Sequence, residues 1–192
     1  YDPDADRIGM QAAEAIGGML PPPRALWRRA LLLERERVAN HLGDLGYLGN
    51  DVALAFGLAQ FSRLREDWLR LNAKLFGHRL LIDRIVPGGV AIDLAGDGTL
   101  AIIEQCQSVA GEVRRLKKIY DEHAGLQDRF LSTGRVTPQL ARRLGVIGLA
   151  GRASAQDWDL RCNHPTEPYD QLETRMAIER NGDVAARALV RF

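Results

Sequence analysis

Four side chains within one predicted helix have the types and spacing to move a proton or hold a charged group: Glu34, Arg37, His41 and Asp51. Arg37 and His41 stand four apart, and Glu34 precedes Arg37 by three, so neighbours in this set can touch on a helix. Glu34 with Arg37 makes a sensible buried ion pair. His41 titrates near neutral pH, and a carboxylate beside it would raise its pKa. A histidine and an aspartate facing one cavity form a proton donor and its partner. From spacing alone, an ordinary polar helix face with a satisfied histidine is the simpler reading.

A second constellation lies at 152–161, where Arg152, Asp157, Asp159 and Arg161 flank Trp158. Arg152 could grip a carboxylate with both arms of its guanidinium. Alternatively, these charges tie the loop to itself, as surface salt-bridge networks commonly do. Cys162 and His164 give C-x-H, which supplies only two of the four ligands a zinc site usually wants. The two cysteines, Cys106 and Cys162, form no C-x-x-C pair. No G-x-G-x-x-G occurs, and Ser62, Ser108, Ser132 and Ser154 stand in no nucleophile-elbow context. No residue is therefore assigned as a metal ligand or a cofactor contact.

The elements that must position these groups are mainly α-helical. A first helix is expected over Asp6 to Met19, stopped by Gly17-Gly18 and Pro21-Pro22-Pro23. The second starts near Arg24 and runs into the fifties. With Leu31 as zero, Val38, Leu42, Leu45 and Val52 fall within about 60° of it, a core stripe. Glu34, Arg37, His41, Asp44 and Asp51 fall in a neighbouring arc of about 100°. Gly43, Gly46 and Gly49 sit inside this helix. Each costs roughly 1 kcal/mol against Ala in an exposed helix, so their spacing of three points to close approach of another backbone, or else to a helix that ends near Gly49-Asn50.

A further helix is expected over Gln60 to Phe76, with Leu64, Trp68, Leu71 and Leu75 on its core face. A β-hairpin near 84–94 turns at Pro87-Gly88-Gly89. A long helix follows over about Leu100 to Phe130, in which Arg114-Arg115 and Lys117-Lys118 read as a solvated face. Thr137-Pro138 starts a short helix ending at Gly145. From Gly148 to Asp170 the chain reads as loop, then as a helix or turn near Tyr169 to Arg180. Ala188 to Phe192 reads as a strand. The expected fold is thus a bundle of long helices with one small hairpin and a short strand-like C-terminal end.

With 192 residues and 46% hydrophobic content, the chain suits one soluble domain, 1–192. A net charge of +1, from 26 basic and 25 acidic residues, gives no case for nucleic-acid binding. No apolar run reaches the roughly 18 residues of a membrane helix, and the acidic start Tyr1-Asp2-Pro3-Asp4 is no signal peptide. Both ends read as cuts, so the chain is expected to be the central part of a larger redox subunit. Apolar surface left bare by such cuts could make the isolated chain a homodimer.

Residues 33–46, L-E-R-E-R-V-A-N-H-L-G-D-L-G, followed by Asn50-Asp51-Val52-Ala53, resemble the large subunit of energy-converting [NiFe] hydrogenases. The formate hydrogenlyase large subunit is the nearest type, and the 49-kDa quinone-site subunit of complex I belongs to the same family. Two further blocks agree: Pro87-Gly88-Gly89-Val90, and Gly148 to Arg161, where R-x-S and W-D-L-R are similar to the family's R-G-S-G-x-x-W-D-L-R. The phrase from Asn50 to Leu58 leans to the hydrogenase branch.

The resemblance implies an oxidoreductase subunit, with Glu34, Arg37, His41 and Asp51 on the family's polar helix and a coupling or proton-relay role for Asp51. It places Arg152, Asp157, Asp159 and Arg161 along a substrate or proton path. It implies an iron–sulfur small subunit and membrane-arm subunits as partners, at the cytoplasmic face of the cell membrane. Family hydrogenases hold nickel and iron through two C-x-x-C pairs. Neither pair is present here, so any Ni-Fe centre would take its ligands from elsewhere in a full-length protein, and this chain alone is expected to be inactive. Alternative readings are a piece of a complex I-like NADH:quinone oxidoreductase subunit at its quinone site, and a non-catalytic structural connector.

Overall fold

Helix α2 (Pro23–Asp51) is the longest element of a computed structural model that describes residues 3–192, with side chains from Ile8 onward. Before it comes α1 (Pro3–Gly17), and the intervening prolines supply the break. Then come α3 (Ala55–Phe76), strands β1 (Ile85–Val86) and β2 (Gly89–Val90), α4 (Gly96–Glu122), α5 (Ala124–Phe130), α6 (Pro138–Leu144), α7 (Gly148–Ala153), α8 (Leu160–Asn163), a 3-10 turn (Tyr169–Gln171) and α9 (Val184–Arg191). The described fold is mainly α, with one two-stranded hairpin. No helix among the described residues is long and apolar enough to cross a membrane.

Two compact units share these helices: residues 1–43 with 62–109, and residues 44–61 with 110–192. In the first unit, Leu32, Phe76, Leu81, Ile85, Leu94 and Ile102 form the core, with Met10, Leu31, Leu71, Leu75 and Val90 against it. Expected core positions of α3 are present there, with Leu64 and Trp68 buried. The hairpin pairs Ile85 with Val90 and Val86 with Gly89, leaving Pro87-Gly88 as its turn. Gly88 takes φ +78°, which suits the third position of a type II turn after proline. Behind the turn, buried Glu14 accepts from Arg29 at 2.5 and 3.0 Å and from the Gly88 amide at 2.6 Å, while Arg29 also donates to the Val86 and Gly89 carbonyls.

In the second unit, Phe61, Tyr120 and Phe192 pack edge to face or tilted, with ring centroids 5.5 to 6.1 Å apart. Ala153, Ala186 and Val190 make a second core group with Leu149. Tyr120 donates to the Leu45 carbonyl at 2.8 Å, and burial pushes its phenol up to about 12. A Cβ on Gly49 would collide with that hydroxyl. The glycine spacing therefore admits side chains as well as backbone: Arg65 at Gly43, Tyr120 at Gly49, and the Leu58 backbone with Phe61 at Gly46.

Three expectations are corrected. The strand-like C-terminal end is helix α9, because Asp183 caps it by accepting from the Ala186 amide at 2.8 Å. The long helix expected to Phe130 breaks at His123, whose Nδ1 caps α5 by accepting from the Leu126 amide at 3.1 Å. The loop from Gly148 contains α7 and α8, and only the 3-10 turn forms between Tyr169 and Arg180. On α4, Lys117 and Lys118 pair with Asp121 and Glu122 one turn on, as a solvated face would.

Candidate functional site

On α2 of the first unit, Glu34, Arg37 and His41 form a half-exposed ridge. Arg37 Nε donates to Glu34 at 3.1 Å, with the two side chains 29% and 37% exposed, so the pair is not the buried one expected. The turn-by-turn spacing that puts them on one face also carries Leu42 to the core. Beside Arg29, already paired with Glu14, the buried cation of this stretch of the helix is Arg35, 2% exposed. Its Nε donates to Asn72 Oδ1, its Nη2 to Gln105 at 2.8 Å and the Trp68 carbonyl at 3.3 Å, and its guanidinium lies 4.1 Å from the Trp68 ring centroid. Burial lowers its pKa to about 10, and Nη1 has no partner among the described residues. A signal for this is present in the sequence: Arg35 stands seven before Leu42 and four before Ala39, so the helical period places it on the apolar stripe.

Asp51 belongs to the second unit and is the last residue of α2. There the Leu54 amide returns to the Gly49 carbonyl at 2.8 Å and Ala53 takes φ +64°, closing the helix. Asp51 is exposed, with no ion pair or side-chain hydrogen bond among the described residues. A negative charge at this end opposes the helix dipole. Asp44, on the same polar arc, is paired with Arg191 at 2.9 Å.

Also in the second unit, the structure joins Arg152, Asp159 and Arg161. Asp159 is 7% exposed; it accepts from Arg152 Nη1 at 3.0 Å, from Arg161 Nε and Nη2 at 3.0 and 2.8 Å, and from the Arg161 amide at 3.0 Å. Burial works against its charge, but the hydrogen bonds from Arg161 and the charges of Arg161 and Arg152 outweigh it, holding the carboxyl at about 2. Asp157 is exposed and stands outside this cluster. Trp158, 40% exposed, meets His164 edge-on at 5.2 Å. Residues 152–155 are held by backbone bonds from and to 179–182, including Glu179 N to Arg152 O at 2.9 Å and Gly182 N to Ala153 O at 2.8 Å. Buried Ser154 Oγ has no partner among the described residues. The cluster is a fixed, ionised carboxylate between two guanidiniums, able to hold charge but poorly suited to exchange a proton near neutrality.

Cys106 is exposed in the first unit, Cys162 is half-buried in the second, and no described group of three or more His, Cys, Asp or Glu could hold a metal.

Comparison with known proteins gives a consistent picture. The chain is 31% identical to the carbon monoxide-induced hydrogenase of Rhodospirillum rubrum over 182 residues, covering 94% of this chain and 50% of that protein. It is 32% identical to formate hydrogenlyase subunit 5 of Escherichia coli (strain K12) over 181 residues, 94% of this chain and 32% of that protein. It is 29% identical to the NADH-ubiquinone oxidoreductase 49 kDa subunit of Cafeteria roenbergensis over 181 residues, with 94% and 46% covered. Among solved structures, the membrane-bound sulfane sulfur reductase, an archaeal respiratory membrane complex, has a chain that matches with a TM-score of 0.84 at 25% identity, over 92% of this chain and 48% of that one. The chain thus spans half or less of the length of these relatives. Residues 51–192 match the family model described as the 49 Kd subunit of respiratory-chain NADH dehydrogenase, and the chain belongs to that family.

Proposed function

We propose that this chain is part of the large subunit of a membrane-associated oxidoreductase complex of the hydrogenase branch, formate hydrogenlyase type. Its Glu34–Arg37–His41 ridge forms a wall of the redox site, and Asp51 serves a proton-coupling path. The observation that carries this reading is the placement of Asp51. An unpaired carboxylate at the negative end of a 29-residue helix gains nothing from the fold. Charges placed against local stability are candidates for function. The carbon monoxide-induced hydrogenase and formate hydrogenlyase subunit 5, at 31% and 32% identity, support the branch.

In this reading the partners are an iron–sulfur subunit and membrane-arm subunits, with the chain on the inner face of the cell membrane. A nickel–iron centre, if the whole protein carries one, draws its thiolates from outside these residues, and no step here passes through it. Arg152 and Arg161 fix Asp159 as a permanent charge beside a substrate or proton path.

A second reading, a quinone-reducing subunit, draws support from the family model and from the NADH-ubiquinone oxidoreductase relative. The assembled complex distinguishes them. Hydrogen evolved from reduced methyl viologen without added quinone supports the first. Quinone-dependent turnover with no hydrogen overturns it in favour of the second.

A further inference from the structure

We propose that Arg65 is a positioning residue, which together with Trp68 fixes the rotation of α2 and so aims the Glu34–Arg37–His41 ridge. This rests on the reading above that the ridge faces a reacting group. A carbonyl inside a helix already accepts the amide four residues on, and needs no second donor. Two carbonyls of α2, one turn apart, receive a second bond from α3. Trp68 Nε1 donates to the Arg35 carbonyl at 2.7 Å, and Arg65 Nε donates to the Ala39 carbonyl at 3.1 Å. Arg65 and Trp68 are three apart on α3 and so share a face. All of these residues lie in the first unit.

The Trp68 bond, with the bonds from Arg35 to Asn72 and the Trp68 carbonyl, holds α2 at one level; the Arg65 bond, one turn on, adds a second level that resists rotation. The second bond depends on Gly43. A Cβ there would stand 3.2 Å from Arg65 Nε and 3.3 Å from its Cδ, so a side chain at 43 would crowd the arginine where it crosses the helix. Arg37 lies between the two pinned carbonyls, with Glu34 one residue before the first and His41 two residues after the second. A helix with its side chains has a radius of about 5–6 Å, so a rotation of about 20° carries a side-chain tip about 2 Å. Misplacement of about 1 Å can cost up to about a hundredfold in rate. The Trp68 indole is buried and makes the fixed end of the clamp, while the half-buried Arg65 is the end that can be altered without emptying the core.

The test uses the full-length subunit in its assembled complex, with turnover read as hydrogen from reduced methyl viologen or as quinone reduced. Arg65→Met is expected to lower kcat roughly tenfold with KM unchanged and the unfolding midpoint within about 3 °C of wild type. Arg65→Lys, which keeps a donor, recovers part of the loss. Combining Arg65→Met with Arg37→Gln gives less than the product of the two single losses, because both act on the same ridge. Wild-type kcat in Arg65→Met, a change in KM alone, or losses that multiply would overturn the clamp. If Arg37→Gln itself turns over normally, the ridge reading fails and the clamp falls with it; if only Arg37→Gln is impaired, the clamp alone falls. Should Arg65→Met not accumulate, Gly43→Ala, which displaces the arginine while keeping it, decides by the same criteria.

Discussion

Replacing Asp159 by Asn removes the counter-charge of two arginines at a stroke, and the structure sets the size of the effect. Holding the carboxyl at about 2 rather than its ordinary 3.8, at about 1.4 kcal/mol per pH unit, contributes on the order of 2–3 kcal/mol at neutral pH. Asn keeps an acceptor for Arg161 but leaves Arg152, 8% exposed, facing a neutral amide. Breaking a buried pair from one side costs about 3–5 kcal/mol. Since the cluster keeps some hydrogen bonds, about 3 kcal/mol is expected. A depressed carboxylate contributes stability that is present above its unfolded pKa of 3.8 and is lost as pH falls through about 2. The gap between wild type and variant should therefore narrow by about 2 kcal/mol from pH 5 to pH 2. Urea unfolding of both proteins at a series of pH values measures this directly. A gap under about 1 kcal/mol at pH 7, or one that does not change with acid, would refute the reasoning.

Other expected outcomes concern the buried polar groups. Arg35→Met fills the space but leaves the buried Asn72 Oδ1 without its donor and should cost about 1–3 kcal/mol, whereas Arg35→Ala, which also opens a cavity, should cost more, about 2–4 kcal/mol in urea unfolding. Tyr120→Phe loses the bond to the Leu45 carbonyl and should cost about 1 kcal/mol, seen as a lower thermal midpoint. Gly49→Ala should destabilise the chain despite the usual gain of about 1 kcal/mol from alanine in a helix, because its Cβ meets the Tyr120 hydroxyl; a rise in midpoint would contradict the packing.

What is legible in the sequence is local. The proline break before α2, the core face of α3, the Pro87-Gly88 turn and the Thr137 cap of α6 all depend on residues within a turn of one another. The polar arc of α2 is legible for the same reason, since a 3.6-residue period fixes which side chains share a face. Errors arise where a short run admits two periods. Ala188 to Phe192 is apolar enough for a strand, and only the Asp183 cap five residues earlier marks it as helix. Periodicity alone puts His123 inside a helix, although Gly125 follows it and a histidine can cap through Nδ1. Partners distant in sequence are not legible at all. Glu14 finds Arg29 across the proline break, Arg35 finds Gln105 seventy residues on, and 152–155 bond to 179–182. The Arg152–Asp159–Arg161 cluster is visible as a set of charges, but that Asp159 is its centre and Asp157 stands outside it depends on the turn between them.

The central claim is that Asp51 is present for chemistry. The most direct measurement is the turnover and stability of Asp51→Asn in the full-length assembled complex. The account predicts that coupled turnover falls at least roughly tenfold, while stability is unchanged or higher by a few tenths of a kcal/mol, as the helix end loses an unfavourable charge. Wild-type turnover in a folded Asp51→Asn complex would contradict it and remove Asp51 from the mechanism.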